Sequence, residues 1–143
     1  MRVTDYLEEL DKLADQIDIS EAKRDTVIAF METCPALCFI KSPETGKYLY
    51  ANAKSRKLLG RDLVGHTDIE LFSTADAKRL VANDLDVIKS GDPTITIETI
   101  DFNENKRLVF IVIKFIVVNG ERCIGGIAIE LPDRFKVELR EGR

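Results

Sequence analysis

The stretch that decides the fold runs from Leu108 to Ile129 and reads LVFIVIKFIVVNGERCIGGIAI. Its first half, Leu108 to Val118, is apolar except at Lys114. Asn119-Gly120 follows, the dipeptide that two-residue hairpin turns favour because both central residues take positive φ. Cys123 to Ile129 then resumes a β-rich run, so the stretch reads as two antiparallel strands. On the longer strand Phe110, Val112 and Ile116 alternate onto one face and Ile111, Ile113, Phe115 and Val117 onto the other. Neither face can be left to water. A sheet that needs cover on both faces calls for helices elsewhere in the chain, and the fold class is α+β with one antiparallel sheet.

Working outward, Thr94 to Ile100 is a further β-rich segment. A helix starting near Ser73 carries Ala77, Leu80, Val81, Leu85 and Ile88 on one face and stops at Gly91, with Pro93 just beyond. Asn52 is placed to cap the helix AKSRKLL, and Gly60 to end it in a left-handed residue. Thr67-Asp68-Ile69-Glu70 has the capping-box form and puts a helical turn after His66. Ala36 to Ile40 and Tyr48 to Ala51 flank the turn-rich SPETGK and read as a hairpin. Ahead of Pro35, the residues Leu7, Leu10, Leu13 or Ala14, and Ile17 keep the spacing of one helix face, with Asp5 and Glu8 near the first turn. Ser20 is placed to cap a second helix carrying Val27, Ile28, Phe30 and Met31. The expected organisation is 1–32 as N-terminal amphipathic helices that cover the sheet and hold a homodimer together, 33–133 as the sheet domain, and 134–143 as a tail or the start of a signalling helix.

With 143 residues, 45% of them hydrophobic, the chain holds one sizeable core. The formal net charge of -4 provides no basic field, so neither nucleic acid nor an anionic membrane is an expected partner. No apolar run approaches the roughly 20 residues of a membrane helix, and the acidic start MRVTDYLEEL does not read as a signal, so a cytoplasmic protein is expected. Cys34, Cys38 and Cys123 have no histidine beside them and support neither a metal site nor a disulfide framework. His66, the single histidine, has no adjacent nucleophile and is expected in an exposed turn. No catalytic set is visible, so the chain is not read as an enzyme.

Taken in order, CPALCFIKSPETGKYLYAN, LLGRDLVGHTDIELF, ADAKRLVANDLDVIKSG and RLVFIVIKFIVVNGERCIGGIAIELPD resemble a PAS domain, the sensor module of bacterial and archaeal signalling proteins such as histidine kinases. The resemblance covers Thr33 to Asp133. It implies a five-stranded antiparallel sheet with central helices on one face and a small pocket between them. On that reading the pocket is lined by Leu80, Val81, Asp84, Ile88, Ile97, Phe110, Val112, Lys114 and Gly126. Haem-binding members supply an axial histidine from the long helix, and Ala75 to Ser90 contains none. Light-sensing flavin members carry an asparagine-cysteine-arginine motif that is also missing here, so neither cofactor is expected.

Two charges stand out in the apolar pattern. The helix period sets Asp84 beside the apolar face, and Lys114 interrupts the long strand. A lone buried charge is costly, so each needs a partner, a route to water or a ligand. Either the two pair internally, or Lys114 snorkels outward, or Lys114 presents its ammonium to a carboxylate or phosphate of a small anionic metabolite with Asp84 orienting it. Gly125-Gly126 is read as allowing close approach of a ligand or a covering helix. The expected function is a regulatory module that binds a small ligand or partner and passes the change through its terminal helices to an output domain. The alternative is a ligand-free PAS-type module for dimerisation, with large side chains such as Phe102, Phe110 and Phe115 filling the core.

Overall fold

The computed structural model describes residues 2–16, 20–103 and 106–132. Ile17 and the tail 134–143 lie outside these, as do the side chains of Leu10, Leu13, Ala14, Ser20 and Phe102. The chain divides into two compact units, Met1–Glu32 and Thr33–Arg143. Helices α1 (Val3–Gln16) and α2 (Ser20–Thr33) account for the first.

The second unit runs β1 (Leu37–Lys41), β2 (Tyr48–Ala51), α3 (Ala53–Leu59), α4 (Asp68–Leu71), α5 (Thr74–Ser90), β3 (Thr94–Asn103), β4 (Lys106–Asn119) and β5 (Glu121–Glu130). Its five strands form one antiparallel sheet in the order β2-β1-β5-β4-β3. The β4–β5 hairpin turns at Asn119-Gly120, where Gly120 takes a φ of 75°. Register sets the faces. Leu37, Phe39 and Lys41 pair with Ala128, Gly126 and Ile124. Gly126 and Ala128 pair in turn with Lys114 and Val112. Glu98 and Ile100 pair with Phe110 and Leu108. These residues share the inner face, where Leu37, Ile100, Leu108, Phe110, Val112 and Ala128 form the core with Phe39, Leu58, Leu59 and Phe72 packed against it.

The helices that close this face begin and end as the side-chain chemistry requires. Asn52 caps α3 by accepting from the Ser55 N–H at 3.1 Å, and the same oxygen accepts the Cys38 N–H at 3.1 Å, tying the cap to β1. Gly60 ends α3 in the left-handed region at φ 70°. Ser73 caps α5 by accepting from the Asp76 N–H at 3.2 Å. Asp76, fully buried, accepts the Asp101 N–H at 2.9 Å and ties α5 to β3.

Three expectations about side-chain direction are corrected. The buried face of α5 is Asp76, Ala77, Leu80, Asp84 and Val87, while Val81 and Leu85 are exposed. An apolar-only reading left Asp76 off this face, although it has the Asp101 N–H waiting inside. Ile97 points outward at 53% exposure, because the pairing of Thr96 with Val112 and Glu98 with Phe110 puts the even-numbered residues of β3 inward. The glycine pair makes room for side chains of its own sheet. A Cβ on Gly126 would fall inside the Phe39 ring, and one on Gly125 would meet Val117 and Phe115.

Candidate functional site

Strand alternation from Leu37 and Phe39 brings Lys41 inward at the end of β1, where it is 1% exposed. Its Nζ donates to Oδ2 of Asp68 and to Oδ2 of Asp84. Lys114, equally buried on β4, lies 2.9 Å from Oδ1 of Asp84 and 2.9 Å from Oε1 of Glu98. The result is a line of five buried charges with alternating sign, Asp68, Lys41, Asp84, Lys114, Glu98. Each comes from a different element: α4, β1, α5, β4 and β3. Neutral donors finish the two ends. The Tyr48 hydroxyl donates to Asp68 Oδ1 at 2.7 Å, and the Asn83 amide donates to Glu98 Oε1 at 2.9 Å.

Burying an ion costs several kcal/mol unless an opposite charge and hydrogen bonds compensate, and alternation is what makes five tolerable. The compensation is incomplete, since two ammoniums face three carboxylates. The Lys114–Asp84 contact is close but poorly aligned, so Asp84 Oδ1 has a charge neighbour and no hydrogen-bond donor. Burial works against the Lys114 charge, yet the Asp84 and Glu98 carboxylates together outweigh it and hold the ammonium above the ordinary lysine range. Burial, reinforced by the Asp68 carboxylate, pushes the Tyr48 phenol well above its usual value.

Three spaces meet at this line. A cavity of about 40 Å³ lies against the inner face, lined by Leu80, Phe110 and Val112 with Tyr48, Glu98 and Lys114 among its polar groups. An open cleft of about 280 Å³ runs between the β1–β2 turn, α4 and α5, with Asp68, Val81, Asp84 and Ile88 in its walls. Lys41 borders both. Of the residues expected to line one pocket, Leu80, Phe110, Val112 and Lys114 line the cavity and Val81, Asp84 and Ile88 the cleft. Gly126 sits beneath Phe39, and Ile97 and Glu98 border an open groove beside Arg79 and Arg107. Sequence reasoning missed Lys41, Tyr48, Asp68 and Glu98. His66 lies in a half-exposed turn, its Nδ1 3.0 Å from Glu70 Oε2. Among the described residues no group of three or more histidine, cysteine or acidic side chains is placed to hold a metal ion, and no helix is long and apolar enough to cross a membrane.

No protein-family model matches the sequence. The uncharacterized protein y4lL of Sinorhizobium fredii is 30% identical over 113 residues, which are 73% of this chain and 14% of that protein. The PAS domain of Bordetella pertussis BvgS superposes with a TM-score of 0.64 at 15% identity, over 85% of this chain and 99% of that one. The chain has a PAS fold. Vibrio cholerae VqmA, a DNA-binding receptor also solved bound to DPO, superposes with a TM-score of 0.66 at 19% identity. That match spans 76% of this chain and 52% of VqmA.

VqmA overturns the exclusion of nucleic acid drawn from composition. A DNA-binding receptor shares this PAS fold, so the net charge of the chain does not exclude nucleic acid from its partners. The expected anionic metabolite is corrected too. The Lys114 charge is already matched by the Asp84 and Glu98 carboxylates, 2.9 Å away each, and its Nζ donates to the Leu80 carbonyl at 3.5 Å, so it does not need a ligand carboxylate or phosphate as counterion.

Proposed function

We propose that this PAS fold is a sensory module whose inner cavity takes a small ligand, and that the line of buried charges carries the change outward. The observation that supports this reading is the place of the line. It borders the cavity and joins α4 and α5 to three strands, so a ligand that alters any one of its contacts alters how those helices seat on the sheet. Packed cores with discrete ion-pair arrangements switch between states instead of deforming continuously. The module would serve a signal-transduction regulator such as a histidine kinase, in keeping with relatives that are longer than the matched region.

Native mass spectrometry of the purified full chain, followed by the same measurement after denaturation, tests the reading. A retained small molecule, lost on denaturation, is the expected result. A clean apo mass from several expression hosts would instead favour the ligand-free module, with Phe39, Phe110 and their neighbours filling the interior.

A further inference from the structure

Most of the polar groups around the cavity have already committed their protons. Lys41 gives two of its three N–H protons to Asp68 and Asp84, and Lys114 is held by Asp84, Glu98 and the Leu80 carbonyl. Tyr48 gives its hydroxyl proton to Asp68, and Ser55 gives its own to Asn52 Oδ1 at 2.8 Å. What remains is mostly acceptor capacity. Glu98 carries most of it. Asn83, Thr96 and Lys114 all meet its Oε1, at 2.9, 3.4 and 2.9 Å, which leaves Oε2 the less engaged of its two oxygens. The Glu98 side chain is 6% exposed and lines the cavity. The charge count points the same way, because three buried carboxylates against two ammoniums leave one negative charge without a counterpart.

We propose that the cavity takes a small cationic hydrogen-bond donor, an amine or amidine, bound through Glu98. The inference rests on the reading of this cavity as a ligand site and fixes the chemistry of its occupant. A water needs roughly 10 to 15 Å³ on the scale on which this cavity measures about 40 Å³, so the space suits an occupant of about three or four heavy atoms. An ammonium or amidinium supplies the charge the line lacks and a donor for Oε2. A carboxylate of the same size would add a second uncompensated negative charge.

Acetamidinium, acetamide and acetate have nearly the same shape and differ in charge and donors, which makes them the test. Thermal unfolding of the full chain is followed with each at constant ionic strength, and binding is checked by titration calorimetry. Saturating acetamidinium should raise Tm by about 5 °C, with little effect from the other two. Glu98→Gln, which keeps the shape and removes the charge, should weaken acetamidinium binding at least tenfold. Acetate or acetamide acting as strongly would overturn the cationic assignment while leaving the cavity a ligand site. No response to any of the three, or an acetamidinium response unchanged in Glu98→Gln, would overturn the inference outright. The sensory reading itself is judged separately, by the co-purified mass.

Discussion

Asp68 and Glu70 stand two residues apart on the one-turn helix α4, and they belong to different electrostatic worlds. Asp68 is buried under Lys41 and Tyr48, in contact with both. Glu70 is exposed and makes its bonds to His66 and to the Thr67 N–H at the helix start. In water such contacts are screened and nearly replaceable, whereas in the interior each charge depends on its partner for most of its compensation. The comparison teaches that distance alone does not rank these ion pairs. What ranks them is whether removing one member strands a charge that water cannot reach.

The largest effect should come from the lysines. Lys114→Met leaves Glu98 and Asp84 short of a cation and raises the buried excess from one negative charge to two, which should cost ~3 to 5 kcal/mol in urea unfolding. Asp84→Asn leaves Asp68 with Lys41 and Glu98 with Lys114, a balanced set, and should cost far less. The double variant restores the wild-type excess of one, so its loss should fall clearly below the sum of the single losses. Additive losses would mean that the five charges do not act as a line, and that the interior resembles the Glu70 surface more than supposed.

Much of this arrangement was legible in the sequence, and the omissions have physical causes. The helix caps at Asn52, Gly60, Ser73 and Gly91 and the Asn119-Gly120 hairpin are local signals, set by backbone geometry within a few residues, and they stand where expected. Asp84 and Lys114 were visible because each breaks a long apolar pattern. Lys41 was hidden at the end of a short strand next to a polar turn, although period two from Leu37 and Phe39 already pointed it inward. Asp68 looked like a capping-box residue, and its burial depends on β1, which is distant in sequence. Ile97 was misread because β3 lies at the sheet edge, where both faces carry isoleucine and only pairing with β4 tells inside from outside.

Gly126→Ala tests the inner face without touching a charge. The new methyl would overlap the Phe39 ring, which must swing away, and the cavity that Phe39 also lines offers it space. Overpacking of this kind costs ~1 to 3 kcal/mol. The variant should therefore be moderately destabilised and should lose ligand binding, with the surface cluster at His66 and Glu70 unaffected in its NMR shifts. Unchanged stability with binding intact would show that Phe39 moves freely and does not shape the cavity.

Alkaline pH should separate the two regions next. Lys114 is held above the ordinary lysine value and Tyr48 above the ordinary tyrosine value, so the folded state keeps protons that the unfolded chain releases. Their contribution is complete below the unfolded values, near 10 for both, and declines as pH rises through the folded ones. The urea midpoint should fall steadily above about pH 10. Tyr48→Phe should flatten that fall, and a midpoint that stays level to high pH would remove the interior ion line as its cause.

The smallest effect belongs to Glu70, and its direction is still fixed. The hydrogen bond from His66 and those from Thr67 hold its carboxyl below the usual glutamate value, so whatever it contributes is present above the unfolded value of about 4.3 and is lost as pH falls through the lower folded one. Glu70 is fully exposed, and solvent screening keeps the contribution slight. Glu70→Gln should leave the urea midpoint at pH 7 within replicate scatter of wild type, and the two proteins should become indistinguishable once the pH is low enough to protonate the carboxyl. The matching substitution at Asp68 sharpens the contrast. Asp68→Asn removes the same charge two residues away, and it should change stability measurably because Lys41 and the Tyr48 hydroxyl both lose their ionic acceptor in the interior. A Glu70→Gln loss as large as that of Asp68→Asn would mean that exposure does not set the energetic rank of the two carboxylates, and the distinction between the two sides of α4 would fail.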